Sequence, residues 1–502
     1  MSESENEQAE ESQGPIAAPP LDGATGWLNV AAPVTIEQLR GKVVILDFWT
    51  YGCINCMHII PDLKRLEEKY ADELVVIGVH SAKFANERKA ANIRHILVRY
   101  DITHPVVNDA DFAIWRAYGA RAWPTQVLID PEGYVVATAS GEGKAEAFDQ
   151  AIAAVAAFFD EKKLIDRRPL AVAPERLALE QSTLAFPGKV LAVEETGRLY
   201  IADSNHHRVL TCDLDGRILD VAGSGDAGFI NGGFEDAAFY RPQGMALDTA
   251  TNTLFVADTE NHAVRALDLA ARRVTTFAGT GDQAPYGAQG GAAREMALNS
   301  PWDLAIAGRL LFIAMAGCHQ IWLIDLDRQL GFPYAGSGRE ARADGGIDDA
   351  AFAQPSGLAL SQDVLYVADS ESNIVRAIDL PPVNQVRTLA GGDLFEFGDR
   401  DGRGDDVRLQ HPLGIARSPL GLVIADTYNH KIKTLDAGTG EVRTFAGTGE
   451  EGSSDGHRAG ARFYEPGGIS ATSTAIYVAD TNNHAIRRID VATGRVETLS
   501  VQ

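Results

Sequence analysis

The chain has 502 residues, of which 45% are hydrophobic and 49 are glycine. This composition indicates a globular, turn-rich protein, and the length is too great for a single hydrophobic core. Its 69 acidic and 45 basic side chains give a formal net charge of −24, which repels a phosphate backbone and argues against nucleic acid as a partner.

The first 22 residues are acidic and polar and then rich in proline and alanine. This composition is typical of a disordered tail. We expect no signal peptide, because this stretch lacks a basic segment followed by an apolar one. We also expect no membrane span, because no apolar run in the sequence is long enough for one. Four cysteines are too few to staple a chain of this length, so we expect a reducing, cytoplasmic location and no membrane partner.

Residues 23–162 are predicted to form the first domain, because strand and helix patterns alternate along them. Apolar runs and helical periodicity predict strands at 43–49, 74–80, 104–107, 126–129 and 134–138, and helices at 57–70, 85–99, 112–118 and 144–159. This alternation predicts an α/β sheet covered by helices.

Two cysteines, Cys53 and Cys56, lie where the first strand ends and a helix begins. Their spacing on a first helical turn allows a disulfide, and the positive end of the helix dipole favours the thiolate of Cys53. A metal site would need two further cysteine or histidine ligands near by, and Cys212 and Cys318 do not form a second such pair. We therefore favour redox chemistry without metal or cofactor over metal binding, and an inactive remnant of the motif stays open as the alternative.

Residues 26–162 resemble a thioredoxin-like domain with an insertion before its last hairpin. Asp47 matches the buried acid of thioredoxins, Pro61 the proline of their active-site helix, and Pro124 their cis-proline beside the disulfide. Asp47 is either a tolerated buried carboxylate or, as we favour, the proton acceptor for the second cysteine. The resemblance implies catalysis by Cys53, Cys56 and Asp47, and substrate binding by Trp49, Trp123, Pro124 and Thr125.

Residues 163–182 are charged and proline-rich, which predicts a linker, and the sequence beyond them repeats. The recurring tetrapeptide, such as Tyr-Ile-Ala-Asp, ends at Asp203, Asp258, Met315, Asp369, Asp426 and Asp480, at intervals of 54 to 57 residues. Six units of four short strands predict an all-β six-bladed propeller over residues 183–502, with residues 495–502 in the outer strand of the last blade.

The repeats resemble NHL repeats at Asn261-His262, Asn429-His430 and Asn483-His484, whereas units one, three and four depart from that pattern. The whole chain therefore resembles a family that joins a thioredoxin-like domain to an NHL propeller. One histidine per blade is too dispersed for a shared metal, so we predict that these side chains make hydrogen bonds in turns. A second aspartate, ten residues after each tetrapeptide, is predicted to form a structural bond within its blade. These second aspartates are Asp213, Asp268, Asp325, Asp379, Asp436 and Asp490.

Three functions compete on this evidence. The first is a thiol–disulfide oxidoreductase whose propeller binds protein substrates or partners, and the second is a redox-inactive scaffold for protein interactions. The third, a propeller hydrolase of the metal-lactonase type, would need acidic and asparagine ligands that converge on the central channel. The repeats show no exception that would supply such ligands.

Overall fold

The structure is a computed structural model that describes residues 14–175 and 182–502. The chain divides into two compact units, Met1–Leu177 and Ala178–Gln502. Residues 1–13 of the predicted tail and residues 176–181 of the predicted linker lie outside the described residues. Within the described part, no helix is both long enough and apolar enough to cross a bilayer.

The first unit contains one six-stranded sheet with the strand order β1-β4-β3-β2-β5-β6. Its strands are β1 (Gly26–Leu28), β2 (Val43–Trp49), β3 (Leu74–His80), β4 (Val106–Asn108), β5 (Thr125–Ile129) and β6 (Val135–Ser140). Its α-helices are α1 (Ile54–His58), α2 (Ile60–Lys69), α3 (Ala90–Arg99), α4 (Ala113–Ala117) and α5 (Ala145–Glu161), and short 3-10 helices span Glu37–Leu39 and Asn86–Arg88. Strand β2 pairs in parallel with β3 and antiparallel with β5. The predicted alternation of strands and helices is therefore confirmed.

Both central strands are buried along their whole length, as their apolar sequences predict. Successive side chains of a strand point to opposite faces. Ile45 and Val76 therefore share a core with α2 and α5, and Leu46 and Ile77 contribute to the core on the other face. The predicted helix 57–70 starts earlier and is divided at Ile59, since α2 begins again with proline in its first turn.

Residues 16–21 differ from the expectation of a disordered tail. Ala17 forms a β-bridge with Tyr134, the N–H of Val135 donates to the carbonyl of Ile16 at 2.8 Å, and Leu21 is buried in the core. Composition suggested disorder because the segment is poor in large apolar residues. The free edge of the β5–β6 hairpin supplies the hydrogen bonds that order it.

The first part of the predicted linker also packs on the first unit. The N–H of Asp166 donates to the carbonyl of Gly41 at 2.8 Å, and the N–H of Ala173 donates to the carbonyl of Asn29 at 2.7 Å. Leu170 contacts the same core as Leu21. Residues 164–175 thus continue the first unit.

The second unit is a propeller of six antiparallel sheets, in which four consecutive strands are neighbours and a two-residue strand is added to blades two to six. Blade one contains Lys189–Val193, Arg198–Asp203, Arg208–Asp213 and Ile218–Ala222. Blade two contains Gly232–Gly233, Pro242–Asp248, Thr253–Asp258, Ala263–Asp268 and Arg273–Ala278. Blade three contains Gly291–Ala292, Pro301–Ala307, Leu310–Met315, Gln320–Asp325 and Leu330–Ala335.

The remaining three blades follow the same plan, which confirms the predicted all-β six-bladed propeller. Blade four contains Gly345–Gly346, Pro355–Ser361, Val364–Asp369, Ile374–Asp379 and Gln385–Ala390. Blade five contains Gly402–Arg403, Gly414–Ser418, Gly421–Asp426, Lys431–Asp436 and Glu441–Ala446. Blade six contains Gly456–His457, Pro466–Ala471, Ala475–Asp480, Ala485–Asp490 and Arg495–Thr498. Short 3-10 helices span Glu194–Thr196, Ser204–His206, Thr259–Asn261, Ala316–Cys318, Thr427–Asn429 and Thr481–Asn483.

The end of the chain closes the ring. Arg495–Thr498 is the outer strand of blade six, as predicted. Beyond it, Leu499 and Val501 are buried in a cluster with Leu184 and with residues of blade one. The carbonyl of Gln502 accepts a hydrogen bond of 2.8 Å from the N–H of Ile218 in blade one.

A repeated hydrogen bond joins each blade to the next. In blade two, Nδ1 of His262 accepts a bond of 3.0 Å from the N–H of Ser300, which precedes blade three. The same bond recurs five more times, and in each case the side chain of the first residue accepts from the backbone N–H of the second. The pairs are His207 and Arg241, His319 and Gln354, Asn373 and His411, His430 and Glu465, and His484 and Phe186. The predicted hydrogen-bonding role is confirmed, but the partner of each side chain lies at the start of the next blade.

Most of the aspartates that end the tetrapeptides form buried ion pairs within their blades. Asp258 contacts Arg265 at 2.8 Å and neither side chain is exposed. Equivalent buried pairs are Asp369–Arg376, Asp426–Lys433 and Asp480–Arg487. Blade three has Met315 and Trp322 at these positions, both fully buried. An apolar pair of this kind fills the space without the cost of desolvating two charges.

Each aspartate of the second set is the last residue of the third of the four longer strands of its blade and precedes a turn. Five of them accept backbone N–H bonds within the turn: Asp213, Asp268, Asp325, Asp436 and Asp490. In blade four, Asp379 pairs instead with Arg387 at 3.1 Å. These contacts confirm the prediction of a structural bond within each blade.

Candidate active site

Cys53 is the residue immediately before α1, and its carbonyl begins the helix. It accepts backbone bonds from Cys56 and Met57 at 3.1 and 3.3 Å. Cys53 is partly exposed, whereas Cys56, one turn later, has only 1% of its surface exposed. Both are free thiols in the structure. The thiol of Cys53 can therefore contact a substrate, whereas the thiol of Cys56 is covered by the protein.

The environment of Cys56 keeps it protonated at rest. Burial raises the pKa of its thiol well above the ordinary value, and the hydrogen bond and charge of Cys53 and the charge of Asp47 add to this effect. A protonated thiol is a poor nucleophile. Cys56 therefore needs a base before it can attack a mixed disulfide.

Asp47 lies close enough to Cys56 for its charge to raise the pKa of that thiol, and it is itself buried, with 3% of its surface exposed. Burial raises the pKa of this carboxyl to about 7, against an opposing effect of the nearby His104. A base with a pKa near the ambient pH is well suited to accept a proton from a thiol. The structure thus brings together Cys53, Cys56 and Asp47, the three residues predicted to be catalytic.

The Trp123–Pro124 peptide bond is cis, as the resemblance to thioredoxins implies. The indole N–H of Trp123 donates to the carbonyl of Ser81 at 3.0 Å, and the hydroxyl of Thr125 donates to the carbonyl of Ala122 at 2.7 Å. Thr125 is buried, as is Trp49 at 2% exposure. Both side chains are thus covered by protein in this structure, and substrate binding by Trp49, Trp123, Pro124 and Thr125 stays a prediction.

An aromatic cluster surrounds Trp123. Its ring lies 4.6 Å from that of Trp115 and 6.1 Å from that of Phe112, measured between ring centroids. All three rings are partly exposed. The cluster offers apolar surface beside the cis-proline, and the sequence prediction included only one of its members.

Glu87 is a further residue of the site that sequence reasoning missed. It is fully buried, and its carboxylate accepts bonds from the N–H of Gly52 at 2.9 Å, from the Thr50 hydroxyl and from the N–H groups of Lys83 and Phe84. These bonds hold the loop that leads to Cys53. In the sequence Glu87 lies in a predicted helix, where nothing distinguishes it from a solvent-exposed glutamate.

The central channel of the propeller contains a buried ion pair. Nζ of Lys189, from blade one, lies 3.3 Å from Oδ2 of Asp303 in blade three and donates to the carbonyls of Ser356 and Leu413. Asp303 also accepts the N–H of Leu304 and of Leu358. This cluster thus sets a lysine beside one aspartate, rather than the acidic and asparagine ligands that a hydrolase of the metal-lactonase type would need. Among the residues that the structure describes, no three His, Cys, Asp or Glu side chains group as metal ligands.

Family comparisons agree with this two-part architecture. A family model described as thioredoxin-like matches residues 41–135, and one described as NHL repeat matches residues 239–267. Over 97% of its length the chain is 45% identical to the protein SUPPRESSOR OF QUENCHING 1, chloroplastic, of Arabidopsis thaliana. It spans 48% of that relative.

One further relative matches nearly the whole chain, and another matches a shorter segment of it. The chain is 40% identical over 97% of its length to NHL repeat-containing protein 2 of Gallus gallus, of which it spans 72%. A segment covering 23% of the chain is 32% identical to the thiol-disulfide oxidoreductase YkuV of Bacillus subtilis and covers 77% of that protein.

Proposed function

This chain belongs to the family of NHL repeat-containing protein 2, and on that premise we propose that it is a thiol–disulfide oxidoreductase that acts on protein substrates. The observation that carries the proposal is the buried Asp47 beside Cys56, with a pKa of about 7. The likeness to the oxidoreductase YkuV supports it. A scaffold without redox activity would have no need of a base at this position.

The proposed reaction has two steps. The Cys53 thiolate attacks one sulfur of a substrate disulfide, so that a mixed disulfide forms and the other substrate sulfur leaves as a thiolate. Asp47 then accepts the proton of Cys56 through a water molecule, and the Cys56 thiolate attacks the sulfur of Cys53. The substrate leaves with both of its sulfurs reduced, and a Cys53–Cys56 disulfide remains for a thiol donor to reduce.

The propeller is proposed to select the substrate. Large aromatic side chains on loops between its blades are exposed to solvent: Phe229 at 38%, Tyr286 at 81% and Phe395 at 68%. Exposed aromatic residues are enriched in protein-binding surfaces. A thiol site contacts only a short stretch of substrate, so that selectivity must come from another surface of the chain.

Disulfide turnover by the full chain tests the enzymatic proposal. Wild type should reduce insulin with dithiothreitol as the donor, and Cys53→Ser should lose this activity, because Cys53 is the partly exposed thiol of the Cys53–Cys56 pair. A Cys318→Ser variant is the matched control and should keep full activity. No turnover by wild type above the dithiothreitol background would favour the protein-interaction scaffold.

Trapping of mixed disulfides tests the role of the propeller. Cys56→Ser cannot resolve the adduct on Cys53, so the full chain should retain a small set of protein partners. Residues 1–175 with the same substitution should retain a broader or weaker set, and this boundary keeps the segment that packs on the first unit. Identical sets from both proteins would show that the propeller is not the selector.

A cytoplasmic location remains part of the proposal. The small number of cysteines supports it. The proposed reaction also requires Cys53 and Cys56 in the reduced state, which a reducing compartment maintains. One relative is titled chloroplastic, and that compartment is also compatible with reduced thiols. Fractionation of cells that express the full-length protein would distinguish these locations.

A further inference from the structure

The last residue of α1 is bonded to the loop that follows β6. Nδ1 of His58 lies 2.6 Å from Oε2 of Glu142, and the two side chains are 3% and 33% exposed. An ionised carboxylate only accepts hydrogen bonds, so Nδ1 of His58 carries a proton and is the donor. The contact is thus a largely buried, charge-assisted hydrogen bond between segments that lie 84 positions apart in the chain.

The loop side of this contact continues directly to Pro124. The N–H of Gly141, the residue before Glu142, donates to the carbonyl of Pro124 at 2.9 Å. One residue earlier, the hydroxyl of Ser140 lies 2.8 Å from that of Thr125. This short segment therefore holds the beginning of β5 with two of its residues and α1 with the third.

Two glycines allow the loop to reach α1. Gly141 and Gly143 flank Glu142 and have φ angles of 83° and 73°, in the region of backbone space that glycine enters without a steric cost. The chain can therefore turn sharply between β6 and α5. The carboxylate at the turn meets the end of α1 while the preceding N–H still bonds to Pro124.

The helix side of the contact leads to the two thiols. Helix α1 ends at His58, with Cys53 immediately before its first residue and Cys56 inside it. A helical turn fixes the spacing of its residues, so a bond that holds His58 also holds Cys56, two positions earlier. Two hydrogen bonds, one at His58 and one at Gly141, thus connect the pair of thiols with Pro124.

Two neighbouring ion pairs join α2 to α5 but are open to water. They are Arg65–Glu146 at 3.2 Å and Lys69–Asp149 at 2.7 Å, and their basic side chains are 49% and 54% exposed. Exposed ion pairs contribute little, because water screens them. The bond between His58 and Glu142 is the one of these three contacts whose basic partner is shielded from water.

We infer that the His58–Glu142 pair is a positioning device for thiol exchange with protein substrates: it fixes the helix that carries Cys56 relative to the segment that carries Pro124. The inference rests on the proposed function. A protein disulfide is predicted to contact both Cys53 and Pro124, so its rate of reaction depends on how these two segments are placed. A small disulfide can react with Cys53 alone. The pair therefore favours protein disulfides over small ones.

The test compares two substrates of the full chain, insulin and a small chromogenic aromatic disulfide. In Glu142→Ala the ratio of kcat/KM for insulin to the rate constant for the small disulfide should fall about tenfold, because a displacement of about 1 Å slows a positioned reaction strongly. A merely structural role would lower both rates alike and leave the ratio unchanged, which would overturn the inference.

Two matched variants identify the bond as the cause. Glu142→Gln keeps an acceptor oxygen for His58 and should restore most of the ratio. Glu146→Ala removes a carboxylate that is 76% exposed in a neighbouring pair and should leave the ratio as in wild type. A glutamine variant as impaired as the alanine variant, or an equal loss in Glu146→Ala, would contradict the role of this bond.

A double-mutant cycle tests whether the two side chains act together. His58→Ala should lower the ratio as Glu142→Ala does, and the double variant should be no worse than either single variant, because both changes remove the same bond. Additive losses would overturn the inference. Where His58→Ala fails to fold, the two Glu142 variants still decide it.

Hydrogen exchange of glycine amides, followed by NMR in the reduced full chain, provides a readout that needs no activity. In Glu142→Ala the amide of Gly141 should exchange about tenfold faster, because the loop that it anchors opens more often. The amide of Gly133, which bonds to the carbonyl of Asp130 at the other end of the β5–β6 hairpin, should keep its rate and is the internal control.

The two readouts separate this inference from the proposed function. Failure of wild type to reduce any disulfide would overturn the proposed function, while exchange at Gly141 would still decide whether Glu142 holds the Pro124 segment. An unchanged exchange rate at Gly141 in Glu142→Ala would overturn the inference even where wild type is an active reductase.

Discussion

Nδ1 of His484 accepts a hydrogen bond of 3.1 Å from the backbone N–H of Phe186, and the two rings meet edge to face at 4.4 Å between centroids. The two residues are 298 positions apart in the chain. This bond joins the last blade to the segment that leads into the first. Blade four makes the equivalent bond with the side-chain oxygen of Asn373.

Loss of the His484 acceptor should weaken the propeller. His484→Ala removes the acceptor of the bond from the N–H of Phe186 and should lower the free energy of unfolding by about 1–3 kcal/mol. His484→Asn should recover much of this loss, because the side-chain oxygen of Asn373 accepts the equivalent bond in blade four. Calorimetry of the propeller transition measures both. Equal stability of the alanine and asparagine variants would contradict the role of this bond, and exposed His457→Ala is the control.

Asp47 should make the first unit less stable as pH rises. Its pKa is raised from 3.8 to about 7 in the folded chain, so the folded state holds a proton that the unfolded state loses between these values. Stability therefore falls from about pH 4 to about pH 7 and is level above that range. Asp47→Asn should match wild type near pH 4 and be more stable by up to about 4 kcal/mol above pH 7.

The full chain is unfolded in urea at several pH values, and hydrogen exchange of peptides from the first unit monitors the unfolding of that unit. The comparison of wild type with Asp47→Asn measures this difference. Asp72→Asn, at an exposed position after α2, is the control and should not change the pH profile. A parallel offset of the Asp47→Asn and wild-type curves at all pH values would show that Asp47 does not titrate in this range.

Cys53 should react with alkylating agents before Cys56. Cys56 has 1% of its surface exposed and a thiol pKa raised by burial, so it offers little thiolate and little access. Limiting iodoacetamide followed by peptide mapping should find the label on Cys53 at neutral pH. Cys212, which is fully buried, serves as an internal standard for slow reaction. Faster labelling of Cys56 would reverse the proposed roles.

Removal of residues 499–502 should open the ring at blade one. Leu499 and Val501 are buried against blade one, and losing both side chains removes about 4 kcal/mol of apolar burial. Truncation after Gly494 should cost more, because it also removes the outer strand of blade six. Thermal unfolding compares these proteins with Ser500→Ala, which keeps every backbone bond. Leu184 lies in the same cluster, and unchanged stability would mean that its segment is sufficient for closure.

The sequence alone determined those features that depend on near neighbours in the chain. Apolar runs identified β2 and β3 with the bounds that the structure has, and the resemblance to thioredoxins implied the cis bond at Pro124. The regular spacing of a tetrapeptide identified six blades. These signals are legible because side chains alternate or repeat over a few residues, and because each repeat forms the same local unit.

Only the tertiary structure decided which distant side chains meet. Glu87 holds the loop before Cys53 across 35 residues, and Lys189 reaches Asp303 across 114. The ring of His104 lies close to β3 at Gly78, where glycine has no side chain, and Trp49 is buried beside the same glycine. Such contacts depend on the closure of the sheet and of the ring. A residue's local pattern carries no information about the partner that this closure brings to it.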